Sequence, residues 1–506
     1  MPAAERIADV FAPVLDEDPG REALVTRRVR WSYRELDDAA ARAAAVLADH
    51  GVRAGDRVSA SLPNEADIVV AFHGAMRLGA IWVGINQALA PPEQAFLLED
   101  SGTCLLLAEG PAVAGLDPHR TQLPDLRAIV DVDGWRSAMD AAAPARDLPP
   151  VDPFAPAGLA YTSGTTGRPK GVIHSQHNLL VPGAVLVASR NYTADLRKGD
   201  CLPLTILNML VLTTLLVAQA GGSCVIMDQL YAEGVAEWVE RERVDVWNGP
   251  PPVLHTLAHD DSIPAGALRT LREAWSGGAA LPEALLERFR AKFGVNVIGS
   301  YGLSEAPTVV SMDPPDGRHV AGASGRPLPH LDVYAADDDG RRLPAGETGE
   351  ICVAATTEGP EAGRYRLPLG YWRRPDADAA LAGGVLRTGD VGVVDERGWL
   401  TINDRKNLLI LRGGANVYPA EVERVLLAID GVAGAAVFGV PDERLGERVV
   451  AAVELGPGAT RTADEILDRC RAELARYKVP ERVAIVDRLP RNAMDKVDRT
   501  ALRALA

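Results

Sequence analysis

From residue 56 onward the apolar positions alternate between two periods. "RVSASL" (57–62) repeats every second residue, as a half-buried strand does. "NEADIVVAFHGAMRLG" (64–79) repeats at helical spacing, and "AIWVGIN" (80–86) returns to a strand. The same order recurs at "GSCVIM", "YAEGVAEWVERERV" and "DVWNGPP" (222–251), and at "REAWSGG", "LPEALLERFRAKFG" and "VNVIGSYG" (272–302). Successive βαβ units predict an α/β fold with parallel sheets covered by helices. After about residue 320 the pattern shortens to hairpins. "DVYAADDDGRRLPAGETGEICVAA" (332–355) and "GGVLRTGDVGVVDERGWLTIND" (383–404) carry Asp-Gly and Arg-Gly turns. Beyond residue 404 a helix (419–430), a β pair (433–455), a second helix (463–477) and a strand (482–487) make a compact α+β unit of about one hundred residues, large enough to be a domain. The expected organisation is a large domain over 1–403, α/β to about 320 and β-rich over about 321–403, followed by a small domain over 404–506.

Residues 201–227, "CLPLTILNMLVLTTLLVAQAGGSCVIM", hold no charged side chain and are long enough to cross a membrane. Pro203, Asn208, Gln219 and the Gly221-Gly222 pair instead predict a buried helix followed by a short strand, with no membrane span.

At 506 residues the chain exceeds the size of a single core, and its 47% hydrophobic and 24% charged residues are ordinary for a globular protein. A formal charge of −16 disfavours nucleic acid or an anionic membrane as partner, so an anionic ligand must meet a local basic or backbone-amide site. The 5 cysteines show no metal or disulfide spacing, and the first residues lack an apolar signal core. Reduced thiols in the cytoplasm are expected. The Ala, Arg, Gly and Val bias suggests a GC-rich bacterial source and a place in specialised metabolism.

The chemistry concentrates in "YTSGTTGRPKGV" (161–172). Glycines let the backbone approach an anion, and amides with hydroxyls wrap it without side-chain charge. A Walker A loop is excluded, because Pro169 removes an amide and Gly171 stands where that motif has its magnesium-binding hydroxyl. The stretch resembles the signature [ST]-S-G-[ST]-T-G-x-P-K-G of the superfamily of acyl-CoA synthetases, adenylation domains and luciferases.

Other motifs of that superfamily follow in order. "SYGLSE" (300–305) resembles its Y-G-x-[ST]-E, and "SGGAAL" (276–281) its adenine-side loop. "RTGD" ends in Asp390, "NDRKNLLILRGGANVYPAEVE" (403–423) resembles the hinge, and "LPRNAMDKVDR" (489–499) the terminal lysine motif. The resemblance implies ATP or AMP, magnesium and coenzyme A as ligands. It implies that Thr162, Ser163, Gly164, Thr165, Thr166, Gly167 and Lys170 hold the phosphates, and that Gly277, Gly278 and Ala279 lie along the adenine. Tyr301 would stack on that base, flanked by Ser300 and Gly302, with Ser304 near phosphate and Glu305 holding magnesium. Asp390 and Arg405 would bind the ribose, and Gly413 and Gly414 border the pantetheine tunnel. Asn407 matches the hinge, and Lys496 the mobile lysine that acts with Glu305 and Thr166 in catalysis.

The implied reaction has two halves. A carboxylate attacks the α-phosphate of ATP, giving an acyl adenylate and pyrophosphate; a thiol then displaces AMP after the small domain rotates. Two departures from the pattern bear on it. Asp495 replaces the usual glycine before Lys496, and unit charges about 4 Å apart interact by about 4 kcal/mol at an effective dielectric near 20, less when exposed. Weakened adenylation relative to thioester formation is therefore expected. In "PLTILN" (203–208), Ile206 replaces a histidine and Thr205 an aromatic, which suggests an apolar gate for a large hydrophobic acid, with Leu207, Trp247 and Gly299 as walls. The absence of an acid in this stretch disfavours an amino acid, whose buried ammonium would lack a partner. A carrier-protein-loading enzyme and a non-catalytic nucleotide binder are the alternatives. The oligomeric state is left open, a homodimer included.

Overall fold

The computed structural model of the chain describes residues 5–162, 169–277, 281–405, 408, 410–412, 415–442, 446–474, 476–491 and 497–503. It is a mixed α/β structure with four sheets. The predicted unit at 57–86 forms as read: strands Arg57–Ser61 and Ile81–Gly84 pair in parallel, joined by helix Ala66–Leu78. That helix ends where Gly79 takes the left-handed conformation, φ 70°, which an L side chain adopts only at a cost. With Leu105–Ala108, Ala128–Asp131, the hairpin Pro156–Thr162 and Lys170–Ser175, and the edge strand Gly370–Tyr371, these strands make a seven-stranded sheet.

A nine-stranded sheet takes the remaining βαβ strands. Glu273–Gly277 and Asn296–Tyr301 pair directly and in parallel, as expected. Ser223–Ile226 and Val246–Asn248 do not. Arg197–Asp200 lies between them, parallel to both, so the connecting helix Ala232–Glu242 crosses over one strand. The "RKGD" composition of that strand gives no sequence signal for a buried position, yet Lys198 and Asp200 are fully buried and paired with each other.

Residues 207–220 are helical, with a π-turn at Val211–Leu215, and end at Gly221, φ 74°. The helix lies between the two large sheets. Leu207 packs where a side chain on Gly158 of the seven-stranded sheet would stand, and Thr213 hydrogen-bonds Asp200 of the nine-stranded sheet. Among the described residues no helix is long and apolar enough to cross a membrane. All 5 cysteines are buried and free.

The expected hairpins pair antiparallel in a four-stranded sheet, Leu331–Ala336, Gly349–Ala355, Leu386–Val394 and Leu400–Arg405. The last sheet starts with Ile410–Arg412 and Ala415–Val417 and continues through the long antiparallel pair Val432–Asp442 and Gly446–Leu455. Arg482–Val486 adds in parallel, and helices Pro419–Leu427 and Ala463–Glu473 contribute Val422, Leu426 and Ile466 to the sheet's own core.

Candidate active site

The site forms where the hairpin of the seven-stranded sheet meets the C-terminal strand ends of the nine-stranded sheet. Thr162 and Lys170 stand opposite each other across the hairpin. Its second strand is fastened to the other sheet by His174, whose Nε2 lies 2.7 Å from the backbone oxygen of Ser304. A carbonyl only accepts, so Nε2 carries the hydrogen. Burial lowers the His174 pKa to about 4, which keeps the ring neutral. On the first strand the Tyr161 hydroxyl donates to Asp100 Oδ2 at 2.7 Å.

Close backbone approach explains the glycines of the second motif. A Cβ on Gly302 would stand 1.6 Å from the carbonyl oxygen of Thr308, and one on Gly277 would stand 2.6 Å from Ser300 Oγ. Neither space exists. Gly277 and Ser300 are neighbours in the parallel register, and Ser300 Oγ donates to the Ser276 carbonyl at 3.2 Å. The turn that follows holds Thr308 at φ 78°, a conformation that costs a β-branched residue of order 1–3 kcal/mol and persists only where surrounding structure fixes it.

Two tertiary contacts join the distant motifs. The Tyr301 hydroxyl donates to Asp390 Oδ2 at 2.5 Å, and Asp390 stands opposite Arg405 on the adjacent antiparallel strand. The Tyr371 hydroxyl donates to Glu305 Oε1 at 3.3 Å. Burial, and then the negative charge of Glu305, raise the Tyr371 pKa well above the ordinary phenol range. The structure thus brings Thr162, Lys170, Gly277, Ser300, Tyr301, Gly302, Ser304, Glu305 and Asp390 to one junction. Ser163, Gly164, Thr165, Thr166, Gly167, Gly278, Ala279, Asn407, Gly413, Gly414, Asp495, Lys496 and the side chain of Arg405 lie outside the described residues.

The expected acyl wall needs a correction. Leu207 and the half-buried Ile206 belong to the core between the two large sheets, whereas Trp247 belongs to a separate core on the opposite face of the nine-stranded sheet. Side chains alternate along a strand, so its neighbour Asn248 shares the side of Leu207, and Asn248 Nδ2 lies 3.9 Å from Met209 Sδ. Gly299 donates its backbone N–H to Asp313 Oδ2 at 3.1 Å. Sequence reading missed His174, Tyr371, Asp200 and Asn248. Period-two alternation along 246–248 was the one available signal, and it applies to Asn248.

Glu305 fits a magnesium ion in donor type, since a hard cation takes carboxylate oxygen. Among the described residues no group of three or more His, Cys, Asp or Glu side chains gathers to hold a metal. One or two protein carboxylates suffice when substrate phosphates and water complete the magnesium shell.

The family described as AMP-binding enzyme matches residues 11–358, and the AMP-binding enzyme C-terminal domain matches residues 421–496. A long-chain-fatty-acid–CoA ligase of Mycobacterium tuberculosis is 34% identical over 488 residues, 94% of this chain and 93% of the relative. A feruloyl-CoA synthase of an Amycolatopsis species is 35% identical over 480 residues, 93% of each. Among solved structures, ATP-bound MatB of Rhodopseudomonas palustris superposes with a TM-score of 0.89 at 30% identity, covering 98% of both chains. The two family matches follow one another in the order of the large sheets and the C-terminal sheet, and the chain belongs to the AMP-binding enzyme family.

Proposed function

We propose that the chain is an acyl-CoA ligase that converts a carboxylic acid to its adenylate at the expense of ATP and then passes the acyl group to coenzyme A with release of AMP. The observation that carries this reading is the junction itself. His174 ties the hairpin to Ser304, and Tyr301 on the same motif reaches Asp390, so motifs far apart in sequence are joined at one place.

In this reading Thr162, Lys170 and the loop between them hold the β and γ phosphates. Tyr301 stacks on the adenine beside Gly277 while its hydroxyl stays on Asp390, and Asp390 with Arg405 takes the ribose. Glu305 holds magnesium, which when bound neutralises charge on the triphosphate. Lys496 neutralises the oxygens where charge develops, and Thr166 contacts the same phosphates. The chain then turns about Asn407 so that Gly413 and Gly414 border the thiol's path. The acid enters past Ile206 and Leu207; the fatty-acid and feruloyl substrates in the names of two relatives support a carboxylic acid of substantial size.

A mixed panel of carboxylic acids tests the reading through ATP-dependent loss of coenzyme A thiol together with pyrophosphate release. Loss of both is expected. Pyrophosphate without thiol consumption would point to a carrier-protein acceptor, and the absence of both signals would overturn the reading. Asp495 beside Lys496 weakens the first half-reaction relative to the second. Pyrophosphate release therefore rises roughly threefold to tenfold in Asp495→Gly, as expected of a partly screened charge pair; an unchanged rate removes that role.

A further inference from the structure

The segment that carries Ile206 and Leu207 continues into the helix of residues 207–220, and one face of this helix rests on two polar strand residues. Met209 and Thr213 are four residues apart and share that face. Thr213 Oγ1 donates to Asp200 Oδ2 at 2.7 Å, and Met209 Sδ meets Asn248 Nδ2. Asp200 and Asn248 stand opposite each other on parallel strands, which lie about 4.8 Å apart. In the same row Ile226 flanks Asp200, and Trp275 flanks Asn248 with Ile298 beyond it, so the pair sits between apolar side chains.

Hydrogen bonding in this pair is incomplete. Asp200 is 0% exposed; its Oδ2 accepts from Lys198 and Thr213, while Oδ1 has no hydrogen-bond partner among the described residues. Asn248 is 9% exposed, and the partner of its amide is a thioether sulfur, a weak acceptor. A purely apolar acyl tail would leave both groups as they are. A hydroxyl is at once a donor and an acceptor, so a single one placed between them satisfies Asp200 Oδ1 and Asn248 Nδ2 together. An ammonium fits worse, because Lys198 already compensates the Asp200 charge and a second buried cation would have no counter-ion. Met209 is unbranched and flexible and yields its place readily.

We propose that the acid used by this enzyme carries a hydroxyl group at the end remote from its carboxylate, and that Asp200 and Asn248 are specificity-determining residues that recognise it. This rests on the acyl-CoA ligase reading above, with the acyl group entering past Ile206 and Leu207. The acid is bulky and largely apolar but ends in a polar group, which refines the expectation of a simply hydrophobic substrate.

Matched pairs of acids test it with the full chain, each pair sharing a carbon skeleton and differing only in a distal hydroxyl, one series aliphatic and one phenolic. Specificity constants are measured by pyrophosphate release and coenzyme A consumption. A site built around a hydroxyl rejects its absence strongly, so the wild type is expected to prefer the hydroxy acid by roughly 100-fold or more in one series. In Asn248→Leu the preference falls by at least roughly tenfold, while Asn248→Gln restores part of it. Equal or better use of the unsubstituted acids by the wild type overturns the proposal without any variant having to fold. An undiminished preference in folded Asn248→Leu also overturns it. Failure of every acid to support ATP turnover overturns instead the ligase reading on which it rests.

Discussion

His174 links site geometry to stability at the scale of a single residue. Its ring titrates near 4 in the folded chain against the ordinary 6.5, so between these values the unfolded chain takes up a proton that the folded chain does not. The stabilisation is complete above pH 6.5 and is lost as pH falls from there to about 4, on the order of 3 kcal/mol across the window. Burial gives His73 and His330 the same sign, each with a pKa lowered to about 3. The melting temperature should therefore fall on acidification from pH 7 to 4.5, and His174→Gln should flatten the slope by removing one of these contributors. Parallel curves for the variant and the wild type would assign the dependence elsewhere. Nothing in "KGVIHSQ" marks this histidine from sequence, because its role comes from a carbonyl in the turn after a strand of the other sheet, 130 residues away.

At the scale of elements, the gate segment is clamped by the seven-stranded sheet. Asn64 accepts from the Leu204 amide and donates to the Leu202 carbonyl, both at 2.9 Å. Gly84 allows the Thr205 carbonyl to lie where a Cβ would stand, 1.8 Å from that oxygen. Overpacking of this kind costs about 1–3 kcal/mol, so Gly84→Ala should lower thermal stability by that amount and raise KM for the acid more than KM for ATP. An equal rise in both constants would place the gate elsewhere. In the seven-stranded sheet the strands at 57–62 and 80–86 and the helix between them were legible from periodicity. The strand Arg197–Asp200 was not, because its charged residues are tolerated only through the Lys198–Asp200 pair, the Thr213 hydroxyl and the Trp275 ring, 5.1 Å from Lys198 Nζ. Those partners come from three different elements, and pairing of this kind leaves no periodic trace.

For the whole molecule, the passage between sheets matters most. Leu400–Arg405 belongs to the four-stranded sheet and Ile410–Arg412 to the C-terminal one, so the chain changes sheets within a few residues around Asn407. A rotation of the C-terminal unit would concentrate its backbone change there. Proline fixes φ, so Asn407→Pro is expected to slow transfer to coenzyme A roughly tenfold or more while largely preserving adenylate formation, as separate single-turnover measurements would show. Equal slowing of both halves would argue against a hinge at this position.

The sequence by itself determined the α/β class, the order of elements and the motif positions, because hydrophobic period, turn residues and glycine-rich loops are local properties of the chain. Tertiary structure decided which residues meet: Tyr301 with Asp390, His174 with Ser304, Asp200 with Thr213, and Asn248 rather than Trp247 on the side of Leu207. Strand order sets such meetings, and so does the face to which each side chain turns. Neither is fixed until sheets and helices pack against one another, since a contact across the fold depends on both partners at once.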